Sequence, residues 1–491
     1  KDLPIIIKKN LKWNEVSSIS VNSLKIPNIF IDQGIRRQYP YDNIGAHIIG
    51  YISPPNKKDI KKEPLLGMLD IDIGKFGIEK SFEKDLRGFP GTRHLEVNAF
   101  GREIREIRKE KSINGDDIRL TIDINMQKYI NSLLKNKNGS IVVINVKNGE
   151  LLAIESSPNF DPNLFTSFIS KKDWDALIKD PMSPLVNKSI AGEYSPGSTF
   201  KLIVLYSALQ NNVFKINDKI KCTSKLNFGD RNFYCWCHKK KIGCWAAENH
   251  RRNVSPELAI AQSCDTFFYE LAKKVGIDNI AKTANLFGLG IKSDLGLESE
   301  KTGLIPNKNW KKRENKSKWQ IGETMITGVG QGYITTTPLQ LALMTAIIAN
   351  NGKKVFPSIF KNLKEFEKRD DNDEINDQEV NNENFFSLIK KGMFSAVNKS
   401  FGTAYKSRLS NPIFAGKTGT VQVRTITEAE RFEGIIPNKD LPLKQRDHAL
   451  FVGFAPYKNP EIALSVVIEH GGSGSKIAAP IAKKIFKKIF V

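Results

Sequence analysis

The stretch Glu193-Tyr194-Ser195-Pro196-Gly197-Ser198-Thr199-Phe200-Lys201 is the point from which the rest of the chain becomes readable. Pro196 and Gly197 break any preceding structure, and Lys201 to Leu209 is a run of good helix formers with apolar spacing. Residues three apart on a helix share a face, so the Ser198 hydroxyl and the Lys201 amine are expected side by side. A serine hydroxyl is a poor nucleophile until a base takes its proton. A lysine does this where burial or a neighbouring cation keeps it neutral. A helix start adds backbone N–H groups and the positive end of the dipole, where an oxyanion could form. Ser-x-x-Lys alone also arises by chance in long chains, usually in a solvated turn.

Two further stretches give it company. Ser263-Cys264-Asp265 follows the apolar Leu258 to Ala261 and precedes Thr266-Phe267-Phe268-Tyr269. Lys417-Thr418-Gly419-Thr420 follows Pro412-Ile413-Phe414-Ala415 and reads as a strand carrying a lysine, two hydroxyls and a glycine. Ser-x-x-Lys, then Ser-x-Asp, then Lys-Thr-Gly well downstream resembles the three active-site motifs of penicillin-binding proteins and serine β-lactamases. Chance rarely supplies all three in order.

Length and composition agree with an enzyme of several domains. The chain has 491 residues, enough for two to four domains, with 40% hydrophobic and 26% charged residues, as in a folded globular protein. A formal net charge of +22 favours an anionic neighbour. No basic–aromatic motif of a nucleic-acid module is present, and the lysines are spread throughout, so nucleic acid is not an expected partner. No stretch approaches the roughly 20 consecutive apolar residues that span a bilayer.

Residues 1–120 read as a separate, β-rich domain without catalytic spacing. Strand-like pieces such as Asn28 to Ile31 and His94 to Val97 alternate with turn signals at Ser53-Pro54-Pro55-Asn56 and Phe89-Pro90-Gly91. Arg36-Arg37-Gln38-Tyr39-Pro40-Tyr41, Ala46 to Tyr51, Gly77-Ile78-Glu79 and Val97 to Arg102 resemble the pedestal (dimerisation-type) domain of class B penicillin-binding proteins. The combination is most similar to the elongation subfamily, penicillin-binding protein 2. In that family a cytoplasmic tail, one membrane helix and the first part of the pedestal precede this point. The resemblance therefore implies a single-pass protein of the cell inner membrane whose present region faces the periplasm. His47 is expected to be structural.

Residues 121–491 read as the transpeptidase domain. Asp123 to Lys128 opens a short helix, and Ser140 to Val146 and Glu150 to Glu155 flank the hairpin turn Lys147-Asn148-Gly149. Residues 157–192 supply loops and the segment Lys172 to Leu177. Gly328-Val329-Gly330-Gln331-Gly332-Tyr333 lacks the ending of a phosphate loop and reads as the turn before the helix Leu339 to Ala349. Glu365 to Asn384 is rich in Asp, Glu and Asn and reads as a solvated insertion. Ala449 to Ala455 and Glu461 to Ile468 form a second hairpin, with His448 and His470 at its ends. A Ser–His–Asp hydrolase would need one of them near Ser198, but Lys201 already takes the base position. The amphipathic segment Pro480 to Val491 is expected to pack on the sheet rather than on a membrane.

All five cysteines, Cys222, Cys235, Cys237, Cys244 and Cys264, fall in one region together with His238 and His250. Three readings fit: a tetrahedral Zn2+ site, a disulfide in an oxidising periplasm, or core cysteines. Resemblance to penicillin-binding protein 2 members with a Cys, Cys-Trp, His and Ser-Cys-Asp set implies Cys222, Cys235, His250 and Cys264 as ligands. Cys237 is the rival to Cys235, and the usual Gly-His-Gly before His250 is absent. Such a metal would be structural, anchoring the second motif; the chemistry needs no cofactor.

The expected architecture is an α/β (α+β) penicillin-binding fold, an antiparallel sheet covered by helices behind the pedestal. The resemblance implies a peptidoglycan D,D-transpeptidase of cell elongation. Lys201 would activate Ser198 against the penultimate D-alanine of a stem peptide, and the N–H groups of Ser198 and Thr420 would hold the oxyanion, each contributing about 3 kcal/mol. Ser263 would relay the proton and Asp265 would order the groups around it. Lys417 would meet the substrate carboxylate, with Thr418, Gly419 and Thr420 beside it. β-Lactams would trap Ser198. Partners implied are a SEDS-type glycan polymerase and shape-determining proteins. Rival readings are a D,D-carboxypeptidase or β-lactamase, a penicillin-sensing domain, and a catalytically idle scaffold of a wall-synthesis complex.

Overall fold

A computed structural model describes residues 7–491 apart from 9–10, 27, 30, 32–36, 68–70, 99–102, 167–168, 239–252, 362–381, 427–429 and 431–435. The chain divides into two compact units. Unit 1 comprises residues 1–118, 159–185 and 296–298, and unit 2 the remainder. Residues 159–185, expected with the second domain, fold with the first.

Unit 1 explains that assignment. Phe160 and Phe165 are buried with Ala46 and pack against Tyr51 and Phe76, and the Tyr51 and Phe165 rings stack at 4.0 Å. A pair of buried phenylalanines contributes several kcal/mol by leaving water, enough to fix a segment distant in sequence. His47 is buried, its Nε2 2.6 Å from the Pro184 carbonyl and its ring edge-on to Phe160, a packing role. The β character lies in the pair Ile52–Ser53 with Ile73–Gly74 and the hairpin Thr92–Val97 with Glu103–Glu110. Short helices, among them Trp13–Val21, Lys57–Lys62 and Lys171–Lys179, fill the intervals.

Unit 2 is built on five antiparallel strands: β1 (Gly139–Asn145), β2 (Leu151–Ser157), β3 (Ala415–Val421), β4 (His448–Ala455) and β5 (Ile462–Ile468). Their order is β3-β4-β5-β1-β2, which leaves β3 at an edge. One row across the sheet runs Lys417, Val452, Ser465, Val142, Ile154. Both sequence hairpins are present.

Helices cover the sheet. α1 (Ile124–Leu134) starts at Asp123, whose carboxylate accepts from the N–H groups of Asn125 and Met126. It shares one core with α8 (Ala479–Phe490), in which Ile130, Leu134, Ile481, Ile485 and Phe486 are buried beside Phe451 and Val466. The apolar stripe of α8 therefore packs on the sheet, each large side chain contributing about 2 kcal/mol. α6 (Pro338–Ala349) is buried on every side, as its nearly uninterrupted apolar run requires. Residues 365–381 of the acidic, Asn-rich stretch lie outside the described residues, and α7 (Glu383–Asn398) already begins at its end. Among the described residues no helix is long and apolar enough to cross a membrane.

Candidate active site

Ser198 sits in a single 3-10 turn, Gly197–Thr199, and the α-helix that follows, α2 (Lys201–Gln210), begins at Lys201. The reason is local. Gly197 has φ +52°, and its N–H donates to the Gly330 carbonyl at 2.9 Å, so the chain enters the turn left-handed and pinned. A Cβ on Gly330 would lie 2.0 Å from the Gly197 oxygen, which makes glycine obligatory there. The Thr199 hydroxyl donates to the Pro196 carbonyl at 2.7 Å and closes the turn. Ser198 is half-buried. Among the described residues its hydroxyl has no hydrogen-bond partner and its N–H has no backbone acceptor.

Lys201 is fully buried, and its amine is bonded to the second motif rather than to Ser198. It donates to the Ser263 carbonyl at 3.0 Å, to the Ser263 hydroxyl at 3.1 Å and to Asp265 Oδ1 at 2.5 Å. It also lies 5.5 Å from the centre of the Phe268 ring. α3 (Pro256–Gln262) ends at Ser263, which adopts φ +56°, and α4 (Asp265–Val275) begins two residues later. A serine in the left-handed region costs about 1–2 kcal/mol. The turn aims its carbonyl and its hydroxyl at the same amine, which offsets that cost. Burial pushes the Asp265 carboxyl up, against the pull of the Lys201 charge and of the Trp236 N–H, which donates to Oδ2 at 2.7 Å.

The third motif lies on β3. Lys417 is fully buried, and its amine donates to the Thr418 carbonyl at 3.0 Å. Burial, reinforced by the Lys201 charge, holds its pKa well below the usual lysine value, with Asp265 opposing. At Gly419 a Cβ would stand 3.0 Å from Leu450 Cβ and 3.3 Å from the Pro196 oxygen; a bare backbone lets the Ser198 turn pack on the strand. Thr420 is exposed, with its hydroxyl 3.4 Å from the Gly474 N–H. As an edge strand β3 has one side without a strand partner, the arrangement to which an extended peptide can add.

Three contacting residues carried no signal of their own in the sequence. Thr403 accepts a hydrogen bond from Thr418 Oγ1 at 3.0 Å and gives its N–H to the Ala261 carbonyl at 3.1 Å, tying β3 to the end of α3. Gln331 reaches the Thr420 carbonyl at 3.5 Å. Trp236 acts through its backbone N–H on Asp265 and its indole N–H on the Gln262 carbonyl.

Cys222, Cys235, Cys237 and Cys264 are buried, and no disulfide joins these four. The sulfurs of Cys222, Cys235 and Cys264 lie within 4.8 Å of one another. Cys237 is outside that group. Cys244 and His250 lie outside the described residues. A tetrahedral Zn2+ with Zn–S bonds of about 2.3 Å sets its sulfurs about 3.8 Å apart, so the three thiols fit such an ion.

Known proteins are similar to this chain along nearly all of its length. The family described as "Penicillin binding protein transpeptidase domain" matches residues 139–487, and "Penicillin-binding Protein dimerisation domain" matches residues 1–120. The peptidoglycan D,D-transpeptidase MrdA of Haemophilus influenzae is 34% identical over 98% of this chain and 73% of its own. That of Acinetobacter baumannii is 36% identical over 97% and 70%. Among solved structures, a complex between penicillin-binding protein 2 and MreC from Helicobacter pylori superposes with a TM-score of 0.82 at 29% identity, covering 97% of this chain and 83% of that one. Pseudomonas aeruginosa penicillin-binding protein 2 in complex with WCK 5153 gives 0.77 at 34%, covering 92% and 90%. A structure described as structural coordination of polymerization and crosslinking by a peptidoglycan synthase complex gives 0.76 at 27%, covering 100% and 83%. With both domains matched and a third of the residues identical over nearly its whole length, the chain belongs to the class B penicillin-binding proteins, of the penicillin-binding protein 2 (MrdA) type.

Proposed function

We propose that this protein is a peptidoglycan D,D-transpeptidase of cell elongation that works through an acyl-enzyme on Ser198. The observation that carries the reading is the position of Lys201: its amine bonds Ser263 and Asp265, while β3, with Lys417, packs on the turn that holds Ser198. Lys201 takes the Ser198 proton as Oγ attacks the carbonyl carbon of the penultimate D-alanine, once its ammonium has given up one proton along its bond to Asp265. The oxyanion forms beside the Ser198 N–H, which has no backbone acceptor among the described residues, with Thr420 N–H as the second donor. Ser263 passes the proton to the departing D-alanine amine as the C–N bond breaks, with Asp265 holding Lys201 in place. An amine of a neighbouring stem peptide then attacks the ester, loses its proton to the base, and returns Ser198 to its hydroxyl. Lys417 meets the substrate's terminal carboxylate, assisted by Thr418 and Thr420.

Cys222, Cys235 and Cys264 would hold a Zn2+, with His250 as the fourth ligand. The ion would supply a rigid cross-link and no chemistry. Cys264 sits between Ser263 and Asp265, so this cross-link would stiffen the second motif. The MreC-bound and synthase-complex relatives support a shape-determining protein and a glycan polymerase as partners, and the single membrane helix that the family resemblance implies would place them at the periplasmic face of the inner membrane.

Incubation with a fluorescent penicillin, followed by mass spectrometry of the wild type and Ser198→Ala, tests the reading. One adduct on the Ser198 peptide, absent from the variant, is expected. No adduct on folded protein would leave the idle scaffold. Analysis of products with an added acceptor amine separates cross-linking from carboxypeptidase action.

A further inference from the structure

α5 (Ile321–Gly328) and the turn after it pack on the elements that carry the three motifs. A Cβ at Gly328 would lie 2.4 Å from Ala272 Cβ, so α5 packs closely on α4, which begins at Asp265. Gly330 backs onto Gly197, and Gln331 bonds the Thr420 carbonyl. The ends of this segment carry aromatic rings. Tyr333 is 40% exposed. Its ring centre stands 5.3 Å from Trp310 and 6.4 Å from Trp319, at interplanar angles of 58° and 55°.

Trp319 is held from within. The Trp319 indole N–H donates to Thr324 Oγ1 at 2.7 Å, and the Lys311 ammonium lies 5.8 Å from its ring centre. Lys311 is itself buried and paired with Glu323. Neighbouring Ile321 is 50% exposed. Tyr333 is thus an exposed ring backed by two half-buried tryptophans on the segment that packs against the Ser198 turn, an arrangement suited to binding a flat apolar face.

We propose that Trp310, Trp319 and Tyr333 form a stacking platform for an N-acetylhexosamine ring of the glycan strand whose stem peptide is engaged at Ser198. The proposal rests on the transpeptidase reading. A pyranose presents a face of axial C–H bonds, weakly positive, which suits the negative face of an aromatic ring. Its hydroxyl and acetamide edges are left for water and for polar groups such as the exposed Lys318. On the transpeptidase reading the edge strand β3 takes the peptide, which leaves the platform to the part of the substrate the strand does not hold. Reach also agrees. A stem of about five extended residues spans roughly 17 Å, and Tyr333 is at most about 7 Å along the chain from Gln331.

Tryptophan fluorescence titrated with peptide-free glycan strands of alternating N-acetylglucosamine and N-acetylmuramic acid tests this. Saturable quenching of the wild type is expected, weakened about tenfold in Tyr333→Ala and kept within about twofold in Tyr333→Phe. In cross-linking of glycan-bearing donors, Tyr333→Ala should raise KM by a similar factor with kcat little changed. Acylation by penicillin, which has no sugar, should fall by less than the glycan affinity. Absence of saturable quenching in the wild type overturns the proposal and leaves the rings to a protein partner. Equal glycan binding by wild type and Tyr333→Ala also overturns it, as does a parallel loss of penicillin acylation, which would assign the ring a folding role. Failure of the wild type to be acylated would instead remove the transpeptidase reading, with the fluorescence titration still reporting on the glycan.

Discussion

The Lys201 amine lies 2.5 Å from Asp265 Oδ1, with the lysine side chain fully buried and the aspartate side chain 14% exposed. Removing one member of such a pair leaves an uncompensated charge in a site that water barely reaches, whereas removing both does not. Asp265→Ala is therefore expected to destabilise the protein by about 3 kcal/mol, lowering the unfolding transition of unit 2 by about 4 °C. The double variant Lys201→Met/Asp265→Leu should recover most of that loss while being inert toward penicillin. Thermal unfolding of Asp265→Ala, of the single variants Lys201→Met and Asp265→Leu, and of the double variant checks this. Additive losses would mean that the two groups do not stabilise each other.

Gly330 controls the position of the Ser198 turn without touching substrate. An added methyl group would meet the Gly197 carbonyl at 2.0 Å, and backbone on both sides cannot yield cheaply. Gly330→Ala should reduce the second-order rate of penicillin acylation on the order of 100-fold, the usual penalty for misplacing a reacting atom by about 1 Å. Gly332 has a similarly positive φ, but a Cβ there would meet only Ile326 Cγ2, at 3.1 Å. Gly332→Ala shares the backbone strain and lacks the collision, so its acylation rate should stay much closer to wild type.

The role proposed for Lys417 is one that its surroundings oppose. It must be charged to meet a carboxylate, yet burial and the neighbouring Lys201 charge favour its neutral form. With its pKa held below the usual 10.5, raising the pH removes the positive charge earlier than for a free lysine. Acylation by a penicillin should therefore decline on the alkaline side with a midpoint below 10.5. A penicillin methyl ester, which has no carboxylate for Lys417, should react more slowly throughout and lack that decline. An identical alkaline limb for acid and ester would assign it to another group.

The parts of the fold and site legible in the sequence are those in which chemistry or local geometry restricts residue type. A serine, two lysines and a second hydroxyl in order point to acyl transfer whatever surrounds them, and Lys147-Asn148-Gly149 dictates a turn. What was not legible depends on contacts distant in sequence. Phe160 and Phe165 draw residues 159–185 into unit 1 because their partners, Ala46, Tyr51 and Phe76, lie more than eighty positions earlier. Lys201 bonds Ser263 and Asp265 rather than Ser198 because α4 begins beside its amine. Cys235 rather than Cys237 joins Cys222 and Cys264; no spacing rule within Cys235-Trp236-Cys237 distinguishes the two, and only the family resemblance favours Cys235. Thr403 is an ordinary loop threonine until β3 is placed against α3.

His448 and His470, at the ends of the β4–β5 hairpin, make an acid-sensitive pair. The Arg446 carbonyl can only accept, so His470 carries a proton on Nδ1 toward it, at 3.0 Å. The His470 backbone N–H donates to His448 Nδ1 at 2.9 Å, which requires that nitrogen to be unprotonated. Burial and the neighbouring His470 lower the pKa of His448 to about 4 from 6.5. Between those values the unfolded chain binds a proton that the folded chain refuses, so stability falls as pH drops through the window, by about 3 kcal/mol at most. His448 pairs with Val421 at the end of β3, so the loss acts on the strand that carries Lys417. His448→Asn keeps an acceptor for the His470 N–H and cannot titrate there. It should lose less stability than wild type between pH 6.5 and pH 4, measured as the shift in the thermal transition. Equal losses in both proteins would show that the acid sensitivity comes from elsewhere.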